Sequence, residues 1–238
     1  MAQFHTAPVR EGLGFGARVS GLTMAMTRDA AVRAAINALF DKEGLIIFEG
    51  VEPSAAMQVA LSEMFGPSKD HPSSAVPRVD GDTMPGLIDM ACPPQEKGII
   101  HVDGRDRASW LPWHFDHCYN NELNRAGVLR AIDIPPEDGL TGFIDGIALY
   151  QALSPELRTR IEGRNVLYRM NVVMDNFRFG RPADYRVYSE RDGTQAVMDA
   201  AATTPRAVHP AVWTRQTGEK VLHVSPWMAE GIEGDETP

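Results

Sequence analysis

The start of the chain alternates between segments with helical and strand-like hydrophobic spacing. The pattern predicts, in order, a short strand with turns at 13–23, a helix at 27–40, a buried strand at 45–50 and a second helix at about 53–65. Thr27 can cap the first of these helices, and Gly44 is expected to end it. This part of the chain is therefore expected to mix helices and strands.

Residues 66–112 have no regular hydrophobic period and are rich in Pro, Gly and Asp. A long irregular segment inside a compact domain is often functional. We predict that this segment is an irregular insertion that acts as a lid or substrate loop.

Short strands dominate the pattern from Trp113 onward. One helix is predicted at about 145–162, and residues 209–225 predict a hairpin whose turn lies at Gly218. The predicted fold class is β-rich α+β, with helices packed outside a β core, in a single domain over residues 1–238.

Composition and charge narrow the classes of function. With 238 residues, 43% of them hydrophobic, the chain can bury a substantial core. The net charge of −9 argues against nucleic acid and against an anionic membrane surface as partners. No apolar run approaches the ~18 residues that a membrane helix needs, and a signal-peptide pattern is missing. Cys92 and Cys118 make no disulfide framework, so a cytoplasmic location is expected.

Two His-x-Asp motifs, His101-Val-Asp103 and His114-Phe-Asp116, carry the candidate chemistry. On a strand, residues i and i+2 point to one face, so either motif can aim an imidazole and a carboxylate at one cation. Such a pair is two-thirds of the 2-His-1-carboxylate arrangement that holds non-haem Fe(II). The first motif runs into a glycine turn and is interpreted as an exposed loop. The second has an apolar, strand-like setting, so it is the predicted metal site, with His117 pointing away from it.

The segments around the second motif resemble the taurine dioxygenase and 2,4-dichlorophenoxyacetate dioxygenase family. They are W-H-F-D at 113–116, P-P-E-D-G-L-T at 135–141, A-L-Y-Q-A-L at 148–153 with Leu157, F-G-P-S-K-D-H-P at 65–72 and H-P-A-V at 209–212 with Gly218 and Leu222. The resemblance covers roughly residues 10–230. It implies a double-stranded β-helix (jelly-roll) core with flanking helices, and it implies Fe(II), 2-oxoglutarate and O₂ as cofactor and co-substrates.

The resemblance also assigns the metal and co-substrate residues. His114 and Asp116 would be two of the three iron ligands, and Thr141 would bind a carboxylate of 2-oxoglutarate. The third ligand of the family, a downstream histidine, and the arginine that pairs with 2-oxoglutarate have no counterpart before Pro238; His223 does not match that ligand. We therefore expect a C-terminally incomplete core, which would be explained by a longer protein, a non-catalytic truncation or a partner subunit that completes the site.

Further residues are assigned to the substrate by the same resemblance. His71 would contact the substrate, and Tyr119 and Trp110 would line its pocket; structural packing is the alternative for all three. His209 is expected to be structural.

The implied function is hydroxylation of a small organic substrate, with release of succinate and CO₂. An anionic substrate is one option, because Lys69, His71, Arg105 and Arg107 can receive an anion, although solvated loop charges explain them equally well. The alternatives are a catalytically incomplete relative that acts as a binding or assembly module, and a zinc hydrolase, which the lack of H-E-x-x-H disfavours. Members of this family commonly form dimers or tetramers, so a homo-oligomer is a further expectation.

Overall fold

The structure is a computed structural model that describes residues 3–71, 73–80, 83–91, 93, 95 and 97–235. The chain divides into two compact units, each made of two separate stretches. Unit 1 comprises Met1–Lys69 and Arg125–Asp145, and unit 2 comprises Asp70–Asn124 and Gly146–Pro238. The expectation of one domain over residues 1–238 stays a prediction.

Unit 1 is a three-stranded sheet with two helices. Its elements are β1 (His5–Pro8), β2 (Ala17–Ser20), α1 (Ala30–Glu43), β3 (Ile46–Glu49) and α2 (Ala55–Glu63). β2 lies in the middle, antiparallel to β1 and parallel to β3. Val19 of β2 packs with Ile36 of α1 and Met57 of α2 in one buried cluster. Burial of these apolar faces holds the unit together.

Helix α1 begins later than the sequence predicts. The carboxylate of Asp29 accepts hydrogen bonds from the N–H groups of Ala31 (2.8 Å) and Val32 (3.0 Å), so Asp29 caps the helix. The predicted cap, Thr27, is wrong: it lies in a 3₁₀ turn, and its buried hydroxyl donates to the carbonyl of Met24. Gly44 ends the helix with φ of 70°, as predicted.

The second stretch of unit 1 returns to this core and then becomes exposed. The side chain of Gln58 donates to the carbonyl of Val128 (3.0 Å), and Val128 packs on the buried cluster. Residues 131–143 are exposed throughout and form no strand, so the short strands predicted from Trp113 onward do not include this stretch. We call residues 129–144 the exposed apolar segment, because its large apolar side chains lie at the surface; Leu140 is 94% exposed.

Unit 2 contains ten strands and three helices among its described residues. They are β4 (Arg78–Asp80), β5 (Met84–Ile88), β6 (Ile99–Val102), β7 (Arg105–Ala108), α3 (Gly146–Ala152), α4 (Pro155–Ile161), β8 (Asn165–Tyr168), β9 (Arg186–Ser189), α5 (Thr194–Ala201), β10 (Ala207–Pro210), β11 (Val212–Thr214), β12 (Lys220–Leu222) and β13 (Ala229–Ile232). The strands form two three-stranded sheets, ordered β10-β8-β13 and β7-β6-β9, and two hairpins, β4-β5 and β11-β12. All pairings in this unit are antiparallel.

The sheet centred on β8 forms the base of the candidate site. Val166 and Tyr168 of β8 are buried in one cluster with Cys118 and Tyr119, which follow the W-H-F-D motif in the chain. Tyr168 is fully buried, and its hydroxyl accepts from the N–H of Ser225 (3.2 Å). The motif is therefore attached to the core at its C-terminal side.

Several sequence predictions in unit 2 need correction. Residues 66–112 are less irregular than predicted, since they carry the hairpins β4-β5 and β6-β7. The single helix expected over 145–162 is two helices, because Ser154 caps α4 and Pro155 begins it. The hairpin around Gly218 is confirmed. Cys92 lies outside the described residues.

His101 is in a strand rather than a loop. It lies in β6, and its Nδ1 is 2.7 Å from Oδ1 of Asp106 across the β6-β7 hairpin. The turn predicted after it is present at Asp103 and Gly104, both with positive φ. The described part of the chain contains no helix that is long and apolar enough to cross a membrane.

Candidate active site

The W-H-F-D-H-C-Y segment forms a tight turn instead of the predicted strand. His117 has a φ of 60°, and its carbonyl accepts from the N–H of Asn120 (2.9 Å). The turn still brings the two predicted ligands together: Nε2 of His114 is 3.4 Å from Oδ1 of Asp116. The i, i+2 pairing was thus predicted correctly, but a turn produces it.

The ring of His114 is held in one orientation by a main-chain carbonyl. Its Nδ1 lies 2.7 Å from the carbonyl oxygen of Pro112, which can only accept, so Nδ1 carries the hydrogen. Nε2 is therefore the nitrogen left to face Asp116 and a cation. The indole ring of Trp227 packs edge-on against the imidazole at 5.1 Å between centroids. No sequence period pointed to Trp227.

The electrostatics of the pair favour opposite charges on its members. Burial alone would lower the pKa of His114, but the hydrogen bonds with Asp116 and with the Pro112 carbonyl outweigh it and raise that pKa. The hydrogen bond with His114 lowers the pKa of Asp116 against the opposing effect of burial. The Asp116 side chain is 66% exposed, so water screens this attraction in part.

An aromatic cluster below the turn fixes Phe115, the residue between the two ligands. Its ring stacks on His223 at 3.9 Å and meets Tyr168 and His209 edge-on. Nε2–H of His209 donates to the carbonyl of Asn120 (2.7 Å), and His209 is only 4% exposed. His209 therefore ties β10 to the end of the turn, and His223 takes part in packing.

His71 and Tyr119 meet beside the turn. Nδ1 of His71 accepts from the N–H of Ser73 (3.0 Å), so the neutral ring carries its hydrogen on Nε2 and donates it to the hydroxyl of Tyr119 (2.9 Å). Burial lowers the pKa of His71 and raises that of Tyr119, which favours this neutral pair. The guanidinium of Arg78 donates to the carbonyl of His71 and to Asp70, and so holds the loop.

The described residues bring four of the six predicted site residues into one neighbourhood of unit 2. His71 and Tyr119, joined by their hydrogen bond, lie in the same neighbourhood as His114 and Asp116. His117, expected to point away, has its ring centroid 5.7 Å from that of His71. Trp110 packs on Tyr185 in the cluster beside β6. Thr141 belongs to unit 1, in the exposed apolar segment, and its role stays a prediction.

The donor set fits part of a non-haem iron centre. An imidazole nitrogen and a carboxylate oxygen 3.4 Å apart can both lie about 2 Å from one cation. This ligand type suits Fe(II). Within the described ranges, no group of three or more His, Cys, Asp or Glu side chains is placed to hold a metal. The pair could fill two ligand positions of such a centre.

Solved structures of dioxygenases share this fold. The chain superimposes on a taurine dioxygenase from Burkholderia xenovorans with a TM-score of 0.59, at 20% identity, covering 99% of this chain and 68% of the other. It matches AAD-2, solved in complex with Mn(II) and N-oxalylglycine, with a TM-score of 0.53 at 16% identity, covering 97% and 72%. The fold is that of the 2-oxoglutarate-dependent dioxygenases, whose core is a double-stranded β-helix.

The chain belongs to the taurine catabolism dioxygenase TauD, TfdA family, whose model matches residues 5–238. The predicted resemblance is therefore confirmed. Dioxygenases of this family use Fe(II), 2-oxoglutarate and O₂.

Characterised relatives differ in the reaction for which they are named. Pentalenolactone F synthase of Streptomyces arenae is 29% identical over 130 residues, which is 50% of this chain and 43% of the relative. The synthase of the same name from Streptomyces avermitilis is 24% identical over 88% of this chain and 70% of its own length. The alpha-ketoglutarate-dependent 2,4-dichlorophenoxyacetate dioxygenase of Cupriavidus pinatubonensis is 27% identical over 54% and 46%. The chain thus spans less than half the length of two of these relatives.

Proposed function

We propose that this chain carries the metal-binding part of an Fe(II)- and 2-oxoglutarate-dependent dioxygenase that hydroxylates a small organic substrate. In the balanced reaction, one oxygen atom of O₂ enters the substrate as a hydroxyl group and the other enters succinate as 2-oxoglutarate loses CO₂. Bound Fe(II) would supply the activation of O₂. The observation that carries the proposal is the pair of Nε2 of His114 and Oδ1 of Asp116, 3.4 Å apart and oriented by the Pro112 carbonyl.

Each residue of the site would have a distinct task. His114 and Asp116 would hold the metal, and Thr141 would bind a carboxylate of 2-oxoglutarate. Tyr119, fixed by His71, has its own hydroxyl hydrogen available, since its oxygen accepts from Nε2–H. This hydroxyl and the imidazole would position the substrate. Trp110 would contribute an apolar wall.

The names of several relatives support an acidic substrate. Proteins similar to this chain are named as a sulfonate dioxygenase (with the prefix "putative" in its name), a sulfate ester dioxygenase and phenoxypropionate dioxygenases. We infer an organic substrate with an acidic group for this chain as well. Assembly into a homo-oligomer is part of the same proposal.

The test is an anaerobic Fe(II) titration with and without 2-oxoglutarate, monitored by the visible charge-transfer band of the ternary complex. The wild type should develop the band, and His114→Ala should lose it. His101→Ala is the matched control, because it removes the other His-x-Asp imidazole of unit 2 and should keep the band. A band of full intensity in His114→Ala would refute the assignment.

A binding or assembly module is the second candidate. The observation in its favour is that the described residues supply two metal ligands and no group of three. If the wild type develops no band under any condition, this candidate is preferred over the dioxygenase.

A further inference from the structure

Arg78, the first residue of β4, holds the loop that carries His71. Its guanidinium donates four hydrogen bonds to this loop. Nε donates to Oδ1 of Asp70 (2.9 Å), and Nη2 donates to the carbonyl of His71 (2.6 Å). Nη1 donates to the carbonyls of Ser73 (2.8 Å) and Val76 (2.5 Å). The Arg78 side chain is only 14% exposed, so this planar set of donors keeps several acceptors in one arrangement.

Asp70 connects the other side of His71 to the same guanidinium. Its Oδ1 accepts from the main-chain N–H of His71 (2.8 Å) as well as from Arg78. The hydrogen bond with Arg78 lowers the pKa of the Asp70 carboxyl, so this group is ionised at neutral pH. The N–H of His71 is thus held through Asp70, and its carbonyl is held by Arg78 directly.

Ser73 presents two main-chain groups to the imidazole of His71. Nδ1 of His71 lies 3.0 Å from the nitrogen of Ser73 and 3.4 Å from its carbonyl oxygen. The two contacts require opposite forms of the ring, because the N–H needs Nδ1 without a hydrogen and the carbonyl needs Nδ1–H. A neutral imidazole carries one hydrogen, so the orientation of Ser73 selects the form.

Arg78 favours the form with an unprotonated Nδ1. It holds the carbonyls of His71 and Ser73, and the N–H of Ser73 lies between these two carbonyls in the chain and is kept next to Nδ1. Nε2 of His71 then carries the hydrogen and donates it to the Tyr119 hydroxyl oxygen (2.9 Å). In the opposite form, Nε2 would accept the hydroxyl hydrogen, and Tyr119 would offer a substrate only an oxygen lone pair.

We propose that Arg78 is a positioning residue that selects the Nε2–H form of His71 and thereby leaves the hydroxyl hydrogen of Tyr119 free for donation to a substrate. The site then favours a substrate with an acceptor at this point, such as an ether, carbonyl or carboxylate oxygen, over one with a donor. The inference rests on the proposed function for the reaction that the substrate undergoes. The form of the His71 ring, however, is a property of the metal-free chain.

The test is NMR of the imidazole nitrogens in the isotope-labelled, metal-free chain at about pH 8, where a histidine with a lowered pKa is neutral. His71→Asn identifies the signals of His71. In the wild type, Nδ1 should have the shift of an unprotonated nitrogen and Nε2 that of a protonated one. In Arg78→Ala the two shifts should exchange or average. Arg78→Lys keeps the charge and should also move the shifts, because one ammonium group does not hold the acceptors as the planar guanidinium does.

Added methylguanidinium should restore the wild-type shifts in Arg78→Ala, whereas methylammonium at the same ionic strength should not. Arg186→Gln is the matched control, because the Arg186 guanidinium also donates to two main-chain carbonyls, those of Ala183 and Tyr185. This control should leave the His71 shifts unchanged.

Three results overturn the proposal: a wild type with the hydrogen on Nδ1, His71 shifts that stay the same in both Arg78 variants, and a change in Arg78→Ala that methylguanidinium does not reverse. An equal change in Arg186→Gln overturns it as well. Because the experiment uses no iron, a failure of the charge-transfer test would count against the proposed function and leave this result standing.

Discussion

Replacement of His209 by Phe tests how the turn that carries His114 and Asp116 is held in place. The substitution keeps an aromatic ring in the buried space beside Tyr168 and Phe115. It removes the Nε2–H group that donates to the carbonyl of Asn120 over 2.7 Å. Loss of the hydrogen bond is therefore the main change.

The magnitude follows from the burial of the two partners. A polar group left unpaired after its partner is removed costs about 1–3 kcal/mol when it is kept from water. His209 is buried but Asn120 is half-buried, so water can replace the donor in part and the lower end of this range applies. We expect the free energy of unfolding to fall by about 1–2 kcal/mol, a factor of about 5–30 in the unfolding equilibrium.

The assay is urea denaturation of the two proteins, with Fe(II) affinity measured alongside. Fe(II) affinity should decrease by at most the same factor, because the ligands remain and only the order of their turn is lost. Val208→Thr is the matched control, since Val208 is the neighbouring residue on the exposed face of β10 and its replacement should change stability by no more than about 0.5 kcal/mol. If His209→Phe matches this control in both stability and Fe(II) affinity, His209 does not hold the turn.

Three further predictions address charge, packing and thiol reactivity. Protonated His114 stabilises the fold fully below the ordinary histidine pKa, and this stabilisation is lost as the pH rises through the raised pKa of His114. Asp116→Asn should lower the pKa of His114, which NMR of the metal-free chain can measure. An unchanged pKa would contradict the ion pair. Gly146→Ala places a Cβ 2.6 Å from a Val221 methyl group and should reduce the free energy of unfolding by about 1–3 kcal/mol, measured by thermal unfolding. Gly14→Ala is the control and should be nearly neutral, because the space around Gly14 is open. Equal effects of the two substitutions would rule out the close contact. Burial raises the pKa of Cys118 to about 11, so with the other cysteine replaced by Ser this thiol should resist thiol reagents at about pH 8 until the protein unfolds, and rapid labelling of the native protein would show that it is accessible.

Local signals in the sequence predicted the elements that depend on neighbouring residues. Gly44 ended α1 and Gly218 made the β11-β12 turn, because each needs a positive φ that glycine adopts without strain. Thr27 failed as a cap because the helix begins two residues later, where the carboxylate of Asp29 accepts from the N–H groups of Ala31 and Val32. Competition between two nearby cap residues is not decided by pattern alone.

The proximity of the two candidate ligands was predictable, but the contacts that support them were not. The His-x-Asp spacing predicted that His114 and Asp116 lie together, and they do, although a turn rather than a strand brings them together. Their role as metal ligands stays a prediction. The bond between His209 and Asn120 joins residues 89 positions apart, and the contact of Trp227 with His114 spans even more of the chain. Contacts of this kind depend on how β8, β10 and β13 pair, which hydrophobic periodicity does not specify.

The interleaving of the two units has a consequence for the order in which the chain is made. The first stretch of unit 1 leaves the ribosome long before the second stretch that completes the unit. For example, the hydrogen bond between Gln58 and Val128 joins residues 70 positions apart, so it can form only after Val128 has been synthesised. The W-H-F-D turn emerges next, and it remains without its tie to β10 until His209 has been synthesised. Domains generally fold as they emerge from the N-terminus. In this chain, however, neither unit is available as one continuous stretch, so the candidate metal pair gains its attachment to β10 only late in translation.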